Sequence, residues 1–389
     1  MWPDLTHCYC VDDVRTAAKR SLPKPIFDYL DGGAEDEITM RRNRGVFSDY
    51  EFSPRVLRNV AQIDLSTHAL GVACSMPLIC APTGMSRMFH HRGEEAVARA
   101  AHIAGIPYSL STASSTALED IAKLNPGPKF FQLYVMKDRT IAKDLIERCK
   151  AAGYQGLYLT ADLASLGKRE RDLRNGFGRP IEIKIKTGLG ALLAPLWLYR
   201  LITQPAMRLA TLARYLPHDG DAVKNSEFVN EQLDPSLDWD DALTFRELWG
   251  GTFVIKGIQC VEDAKKAVKI GATAIVISNH GGRQLDTAPT ALSLLPKVVD
   301  AVGDKLDVLI DGGIRRGSDV IKAVALGAKA CLIGRPYLYG LAAGGEAGVS
   351  RALSLLRTEM ERVMQLIGCE AVSALDPRYV QRIDRIARD

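Results

Sequence analysis

The chain carries a histidine and an arginine three positions apart, His280 and Arg283, in the segment SNHGGRQLD (residues 278–286). A histidine can exchange a proton near neutral pH, and an arginine can bind a carboxylate through two parallel hydrogen bonds. The segment follows an apolar, β-branched run, residues 274–277, which is typical of a buried strand. The pattern is either a polar turn or a strand that presents a base and an anion-binding cation at its end.

Seven further apolar runs of this kind occur, and amphipathic segments separate most of them. The predicted strands are residues 77–81, 107–110, 129–135, 156–160, 252–256, 274–278, 307–311 and 328–333. Predicted helices include residues 93–104, 117–124, 139–152, 261–269, 291–301 and 318–326. Eight successive βα units with uniformly apolar strands predict an α/β fold, a closed (β/α)8 TIM barrel. A doubly wound open sheet is the alternative, weakened because no GxGxxG follows the first strand.

We expect one domain over residues 1–389. It comprises an N-terminal helical extension (1–75) and the barrel (76–389), with a long insertion (177–235) after the fourth strand. The net charge of +4 is not concentrated in a basic tract, so no nucleic acid is expected as a partner. Eight scattered cysteines without a CxxC pair predict reduced thiols in a cytoplasmic protein and no metal site.

Two predicted strand ends have the composition of a phosphate site. DGGIRRG (311–317) and LIGRP (332–336) combine glycines, which let backbone N–H groups approach an anion, with Arg315 and Arg335. In TIM barrels a phosphate site commonly follows the seventh and eighth strands. Lys256 also ends an apolar strand and requires a negative partner. That partner is the anionic edge of a reduced flavin or an ion pair with Asp311, unless Lys256 forms a Schiff base.

The whole pattern resembles the FMN-dependent L-2-hydroxy-acid dehydrogenase/oxidase family, most of all its membrane-bound dehydrogenases. The resemblance runs from LPKPIFDYLDGGAEDE (22–37) to GLAAGGEAGV (340–349), and SNHGGRQLD is its most specific match. It implies an FMN ring lined by Pro82, Thr83, Gly84, Ser111, Gln132, Thr160, Lys256 and Ser278. It implies a ribityl chain and phosphate held by Asp311, Gly313, Arg315, Gly334 and Arg335.

The same resemblance assigns roles around the substrate. It implies that Tyr29, Tyr134, Arg169 and Arg283 bind the 2-hydroxy acid, with His280 as the base that Asp162 orients. Tyr134 would hydrogen-bond the hydroxyl oxygen, and Lys256 would stabilise the reduced flavin. The residues leave open whether the α-hydrogen leaves as a proton or as a hydride. His90 and His91 are expected at the surface or far from the phosphate, with no role.

The connection between the fourth and fifth predicted strands is far longer than a βα unit needs. Within it, residues 181–218 combine leucines with Trp197, Tyr199 and several basic residues, while acidic residues are nearly absent beyond Glu182. That profile indicates a segment that lies in an anionic membrane interface, and a lid or subunit contact is the alternative. The family's membrane-bound members place their membrane-binding segment here. The resemblance thus implies a peripheral protein on the inner face of the cell membrane that reduces quinone.

We therefore expect oxidation of an L-2-hydroxy acid, with L-lactate as the first candidate, by a homotetramer. A mandelate-type dehydrogenase and a soluble oxidase that makes hydrogen peroxide are the alternatives. Gly84, where efficient oxidases of the family tend to carry alanine, indicates poor oxygen reactivity, and Ala113 leaves room for a larger substrate side chain. A barrel isomerase or lyase that uses Lys256 covalently is the rival from another class.

Overall fold

The first part of the chain forms short helices and strands outside the barrel. The structure, a computed structural model, describes residues 4–176, 194–217, 225, 228–229 and 231–383. It begins with helices α1 (Val11–Ser21), α2 (Lys24–Asp31) and α3 (Ile38–Gly45), followed by strands β1 (Tyr50–Phe52), β2 (Thr67–Ala69) and β3 (Val72–Cys74). The strands β2 and β3 form an antiparallel hairpin, and β1 pairs with β12 (Val380–Arg382). The predicted extension therefore contains strands as well as helices, and β1 ties it to the last described strand.

The apolar runs form eight parallel strands that close into a barrel. They are β4 (Leu78–Cys80), β5 (Tyr108–Ser111), β6 (Lys129–Leu133), β7 (Gly156–Thr160), β8 (Thr252–Ile258), β9 (Ala274–Ile277), β10 (Asp307–Asp311) and β11 (Cys331–Ile333). Each strand pairs with the next along the chain, and β11 pairs with β4 to close the ring. The closed barrel confirms the predicted fold and excludes the open doubly wound sheet.

Helices follow the barrel strands along the chain, and most of them cover the outer face of the barrel. They are α4 (Gly93–Ile103), α5 (Leu118–Leu124), α6 (Arg139–Ala151), α7 (Glu170–Arg174), α8 (Pro195–Thr203), α9 (Trp239–Trp249), α10 (Val261–Lys269), α11 (Ala291–Val302), α12 (Gly317–Ala325) and α13 (Arg335–Ile367).

Helix α6 shows how the sequence specifies these elements. The Asp138 side chain caps its first turn by accepting a hydrogen bond from the Thr140 N–H. Its buried face includes Ala142, Leu145 and Cys149, at the three- and four-residue spacing of a helix stripe. Burial of one such leucine side chain contributes about 1.5–3 kcal/mol.

The described part of the insertion has one exposed helix and one anchored turn. Helix α8 has no buried residue. The following 3-10 turn, Ala210–Tyr215, is anchored to the barrel because the Ala210 N–H donates to the Ser114 carbonyl and Arg148 donates to the Thr211 carbonyl. The rest of the predicted membrane segment, residues 181–193 and 218, lies outside the described residues. No helix within the described ranges is long and apolar enough to cross a bilayer.

Candidate active site

A cavity of about 1570 Å³ occupies the carboxyl-terminal end of the barrel. Residues of α2, the strand ends and the described insertion all contribute to its wall. The wall contains nearly all the predicted site residues: Tyr29, Pro82, Thr83, Gly84, Ser111, Gln132, Tyr134, Thr160, Arg169, Lys256, His280, Arg283, Asp311, Gly313, Arg315, Gly334 and Arg335. The two others, Asp162 and Ser278, hydrogen-bond to members of this wall. The barrel thus brings together side chains from all parts of the chain.

His280 and Asp162 form a hydrogen-bonded pair in this cavity. The Nδ1 atom of His280 lies 3.1 Å from one carboxylate oxygen of Asp162 and 3.3 Å from the other. The Asp162 side chain is only 2% exposed. Burial favours its neutral form, but the charges of His280 and Lys256 outweigh burial, so the pKa of Asp162 lies below its ordinary value. An ionised Asp162 fixes a proton on Nδ1 and leaves Nε2 of His280 to accept one.

The loop that carries His280 has a left-handed backbone. His280, Gly281 and Gly282 have φ angles of 58°, 64° and 76°, which only glycine adopts without cost. Contacts from the N-terminal extension hold this conformation. The Ala34 N–H donates to the Gly282 carbonyl at 2.8 Å, and Asn43 exchanges two amide hydrogen bonds with Asn279. The extension therefore fixes the direction in which His280 and Arg283 leave the strand.

A glycine also gives Asp162 its place beside the histidine. Gly257 forms a bulge in β8 with a φ of 107°, and a Cβ atom there would come within 2.7 Å of the Asp162 Cβ. Gly257 directly follows Lys256, so the end of β8 both positions the Lys256 ammonium and leaves room for Asp162.

Lys256 near the end of β8 forms a buried ion pair with Asp311 at the end of β10, and β9 lies between these two strands. Its ammonium lies 2.9 Å from Asp311 Oδ2 and donates to the Ser278 hydroxyl at 2.8 Å. Burial lowers the pKa of the Lys256 ammonium, but Asp311 and Asp162 outweigh burial and raise this pKa above its ordinary value. Lys256 is therefore charged, and the ion pair with Asp311 is the partner that the structure provides.

Three guanidinium groups in the wall have no carboxylate partner within ion-pair distance among the described residues. Arg283 donates to the Tyr29 and Gly32 carbonyls, Arg335 to the Gly281 and Gly32 carbonyls, and Arg315 to the Ile314 carbonyl. Burial lowers the pKa of Arg335 to about 10, and repulsion from Arg283 and Arg315 adds to this decrease. Buried cations of this kind are costly unless an anion neutralises them, so the cavity is built for anionic ligands.

The Tyr29 ring lies between two arginine side chains. The guanidinium carbon of Arg283 is 5.0 Å from the ring centroid, and that of Arg169 is 5.7 Å from it. Arg169 also lies 2.9 Å from a carboxylate oxygen of Asp172 on α7. Burial, with a smaller contribution from the Asp162 charge, raises the pKa of the nearby Tyr134 hydroxyl, which stays protonated. This clamp, comprising Tyr29, Tyr134, Arg169 and Arg283, matches the shape and charge of a small carboxylic acid that carries a hydroxyl group.

Comparison with known proteins identifies the family. The profile of the FMN-dependent dehydrogenases matches residues 18–382. The chain belongs to this family. It is 44% identical over 377 residues to a putative L-lactate dehydrogenase of Mycobacterium tuberculosis, covering 97% of this chain and 90% of that protein. It is 44% identical over 371 residues to an L-lactate oxidase of Nostoc, covering 93% and 95%.

Solved structures agree with the family assignment. The crystal structure of the monotopic membrane protein (S)-mandelate dehydrogenase superposes with a TM-score of 0.93 at 40% identity, covering 97% of this chain and all of that one. The cofactor of the family is FMN, so FMN is the cofactor of this FMN-dependent dehydrogenase.

The cavity wall fits FMN by its unsatisfied hydrogen-bonding atoms. Within the described ranges, buried atoms without a hydrogen-bond partner include Gln132 Nε2, Thr160 Oγ1, Asp311 Oδ1, Arg315 Nε and Arg335 Nε. Such atoms are rare in folded proteins and indicate a ligand that satisfies them. They are spread over β6, β7 and the last two strand ends, as a long ligand with a ring at one end and a phosphate at the other requires.

One of the two positions expected for His90 was wrong. His90 was expected at the surface or far from the phosphate, and it does not lie at the surface. Instead it is 5% exposed, its ring lies 4.3 Å from that of His91, and both border the cavity. Burial lowers the pKa of His90 to about 3, with smaller contributions from the charges of Arg200 and Arg92, so His90 is neutral.

Sequence reasoning also missed several supporting residues, because their types are common and only their partners show what they do. Asp31 accepts hydrogen bonds from Arg15, Arg171 and Tyr339. Asp286 accepts the N–H groups of Ile38 and Thr39, and thereby ties the extension to the His280 loop. For Asp286 a signal was available, since it ends the same SNHGGRQLD segment.

Proposed function

We propose that this FMN-dependent dehydrogenase oxidises an L-2-hydroxy acid to the corresponding 2-oxo acid. The observation that carries the proposal is the buried His280–Asp162 pair in the same cavity as the carboxylate-free guanidinium of Arg283. Such a substrate has a carboxylate that needs a cation and a hydroxyl proton that needs a base. FMN bound in this cavity would take up the two electrons together with the α-hydrogen that the substrate loses.

The side chains of the cavity bind the substrate, take up its proton and stabilise the charge that develops. Arg283 and Arg169 bind the substrate carboxylate, and the Tyr29 hydroxyl completes the clamp. Nε2 of His280 takes the hydroxyl proton, because Asp162 occupies Nδ1 and stabilises the imidazolium that forms. Tyr134, protonated across the physiological range, donates to the hydroxyl oxygen as it becomes a carbonyl. The charge of Lys256 stabilises the electron-rich reduced cofactor.

We propose L-lactate as the first substrate candidate and mandelate-type aromatic acids as the second. A relative named for L-lactate supports the first. The second is supported by the structural similarity to a mandelate dehydrogenase and by the short side chain of Ala113 in the cavity wall. Opposite it, a Cβ atom on Gly84 would lie 3.0 Å from the Ala113 Cβ, so both positions keep this part of the wall open.

Anaerobic bleaching of the flavin tests the reaction and the substrate together. Purified holoenzyme is mixed with L-lactate, D-lactate, (S)-mandelate and glycolate, and the loss of flavin absorbance is followed. Of the two lactates, we expect only the L-enantiomer to bleach the flavin, and a His280→Asn control that still carries FMN should react roughly 10²- to 10⁴-fold more slowly. If none of these acids bleaches the flavin, the proposed reaction is wrong.

We propose a membrane quinone as the electron acceptor rather than oxygen. The cavity extends from the strand ends to the apolar side chains of Met88, Trp197 and Leu201, which suit an apolar acceptor. After bleaching by substrate, the reduced enzyme is mixed with air-saturated buffer or with a short-chain ubiquinone. Faster reoxidation by the quinone supports the proposal. Peroxide formation at rates comparable to quinone reduction would favour the oxidase alternative, which the named L-lactate oxidase relative also represents.

We propose that the insertion docks on an anionic membrane, as a peripheral protein on the inner face of the cell membrane. On α8, Leu201 is 57% exposed and Ile202 is 74% exposed, and Arg200 on the same helix is basic. The Trp197 indole donates to the Met88 carbonyl at 2.8 Å, so this apolar surface is held against the barrel. Exposed apolar side chains with flanking cations are the composition of an interfacial helix.

Vesicle sedimentation tests the docking. We expect Leu201→Ser/Ile202→Ser to weaken binding to phosphatidylglycerol-containing vesicles by at least ~10-fold, since each change removes apolar burial worth about 1 kcal/mol or more. Ile103→Ser is the matched control, because Ile103 is a 72% exposed isoleucine on α4. Equal loss in both proteins would place the membrane surface elsewhere.

The proposed homotetramer is checked in the same preparation by light scattering, with four times the 42.5 kDa chain mass as the expected result.

A further inference from the structure

Asp172 is a buried carboxylate beside the substrate clamp that the proposed chemistry does not use. It lies on α7, borders the cavity and is 4% exposed. Its Oδ2 atom is 2.9 Å from Arg169 Nε, so the two groups form a buried ion pair. Arg169 also borders the cavity, where a carboxylate that enters can reach the same guanidinium.

The charges around Asp172 come from every neighbouring element. Arg169 precedes α7 on the same segment, Arg283 approaches from the loop after β9, and α2 contributes Asp28 and Tyr29. Asp28 is already engaged, since it accepts from Asn175 and pairs with Lys24. Tyr134, which feels the charges of Arg169 and Arg283, and His280 also border this cavity. Burial raises the pKa of Asp172 above its ordinary value even though Arg283 and Arg169 act in the opposite direction.

We propose that Asp172 is an internal counter-ion of the clamp, which competes with the substrate carboxylate for Arg169. This inference rests on the proposed function, because it takes Arg169 and Arg283 as the substrate-binding cations. When Asp172 is ionised, the two guanidiniums carry one compensating charge and attract an incoming anion less strongly. When Asp172 is protonated, both charges are available to the ligand.

Asp172 is thus a positioning residue whose charge sets the affinity for carboxylates. A purely structural role on the short helix α7 would make a different prediction. The isosteric Asp172→Asn change would then leave anion affinity and its pH dependence unaltered. A role in holding Arg169 in place would weaken anion binding in that variant. Competition between Asp172 and the substrate for Arg169 predicts the opposite result, stronger anion binding in Asp172→Asn.

The test uses pyruvate and benzoylformate as non-reacting carboxylate probes of the holoenzyme. Their dissociation constants are measured from changes in flavin absorbance between pH 5 and pH 8. At pH 8 we expect Asp172→Asn to bind the probes roughly 3- to 10-fold more tightly than the unmodified protein, the size of one partly screened charge. The ratio of the two constants should fall toward one as the pH falls and Asp172 takes up a proton.

Two variants control for structure and net charge. Glu170→Gln removes the same charge from the same helix, but Glu170 pairs with Lys168 and Arg174 and does not border the cavity. We expect it to leave the ratio at one. Asp172→Glu retains the charge and should retain the weaker affinity and its pH dependence, which keeps the proposal testable if Asp172→Asn folds poorly.

The outcomes separate this inference from the proposed function. Normal bleaching by a 2-hydroxy acid together with unchanged or weaker probe binding in Asp172→Asn overturns only the counter-ion role. Stronger binding in Asp172→Glu than in the unmodified protein overturns it as well. Failure of the unmodified protein both to bleach and to bind either probe overturns both proposals.

Discussion

Replacement of Lys256 by methionine tests whether the buried ion pair stabilises the barrel mouth. The change keeps the length of the side chain and removes its charge. Asp311 Oδ2, now 2.9 Å from the ammonium, would lose its counter-ion in a buried position. Ser278 would lose a donor at 2.8 Å. The variant therefore measures the cost of a buried carboxylate left without a partner.

The distance gives the size of the effect. Two unit charges 2.9 Å apart attract by about 6 kcal/mol at the effective dielectric constant of about 20 that suits protein sites. Desolvation offsets part of this, and loss of one partner from a buried pair costs about 3–5 kcal/mol. With the unfolding entropy typical of globular chains, that loss lowers the unfolding midpoint of a 389-residue protein by about 4–6 °C.

The assay is thermal unfolding at saturating FMN, because loss of the cofactor would itself lower the midpoint. Lys256→Met/Asp311→Asn removes both charges and should recover most of the loss. Lys123→Met is the surface control, since Lys123 is 78% exposed and its pair with Asp120 should contribute less than about 1 kcal/mol. A midpoint for Lys256→Met that equals that of the surface control would refute the reasoning.

Three further results are expected. His280→Asn, chosen because asparagine tolerates a positive φ, should slow flavin reduction by roughly 10²- to 10⁴-fold, and unimpaired bleaching would reject His280 as the base. Arg283→Lys should raise the KM for the hydroxy acid by about 10- to 100-fold through loss of the guanidinium fork, and an unchanged KM would contradict the clamp. Burial acts against ionisation of Asp31, but its hydrogen bonds to Arg15 and Tyr339 prevail and lower its pKa to about 2. Because this pKa is depressed on folding, its stabilisation of about 2–3 kcal/mol is present above about pH 4 and is lost as the pH falls toward 2. The stability difference between the unmodified protein and Asp31→Asn, measured by urea unfolding, should shrink over that window, and a constant difference would contradict the assignment.

The barrel could be predicted from the sequence because its signals are local. Residues 156–160 and 307–311 are apolar runs whose predicted bounds equal those of β7 and β10. The convergence of the site residues followed from topology, since the carboxyl ends of parallel strands in a closed barrel meet at one mouth. His280, Arg283 and Lys256 were therefore placed in one cavity before any contact was known.

The parts that could not be predicted depend on contacts between distant segments. The sequence left three partners for Lys256 open, and its contact with Asp311 depends on the relative positions of β8 and β10, which are not adjacent in the barrel. The burial of His90 was missed because a polar pair after a strand is typical of a surface turn. Asp172 gave no signal at all, because one aspartate in the charged run KRERD has no distinguishing pattern. Its burial becomes visible only when α7 packs against α2.

The left-handed backbone at His280 also limits how this enzyme can diversify. His280 and Arg283 share a loop in which a β-branched replacement at His280 would strain the chain and displace the arginine together with the base. The wall formed by Gly84 and Ala113 belongs to other strand ends and is free of that constraint. The residues for the reaction and the residues that face the substrate side chain thus lie on separate parts of the barrel. A preference for a different substrate side chain can evolve, or be engineered, at the Gly84–Ala113 wall without changes to the His280 loop.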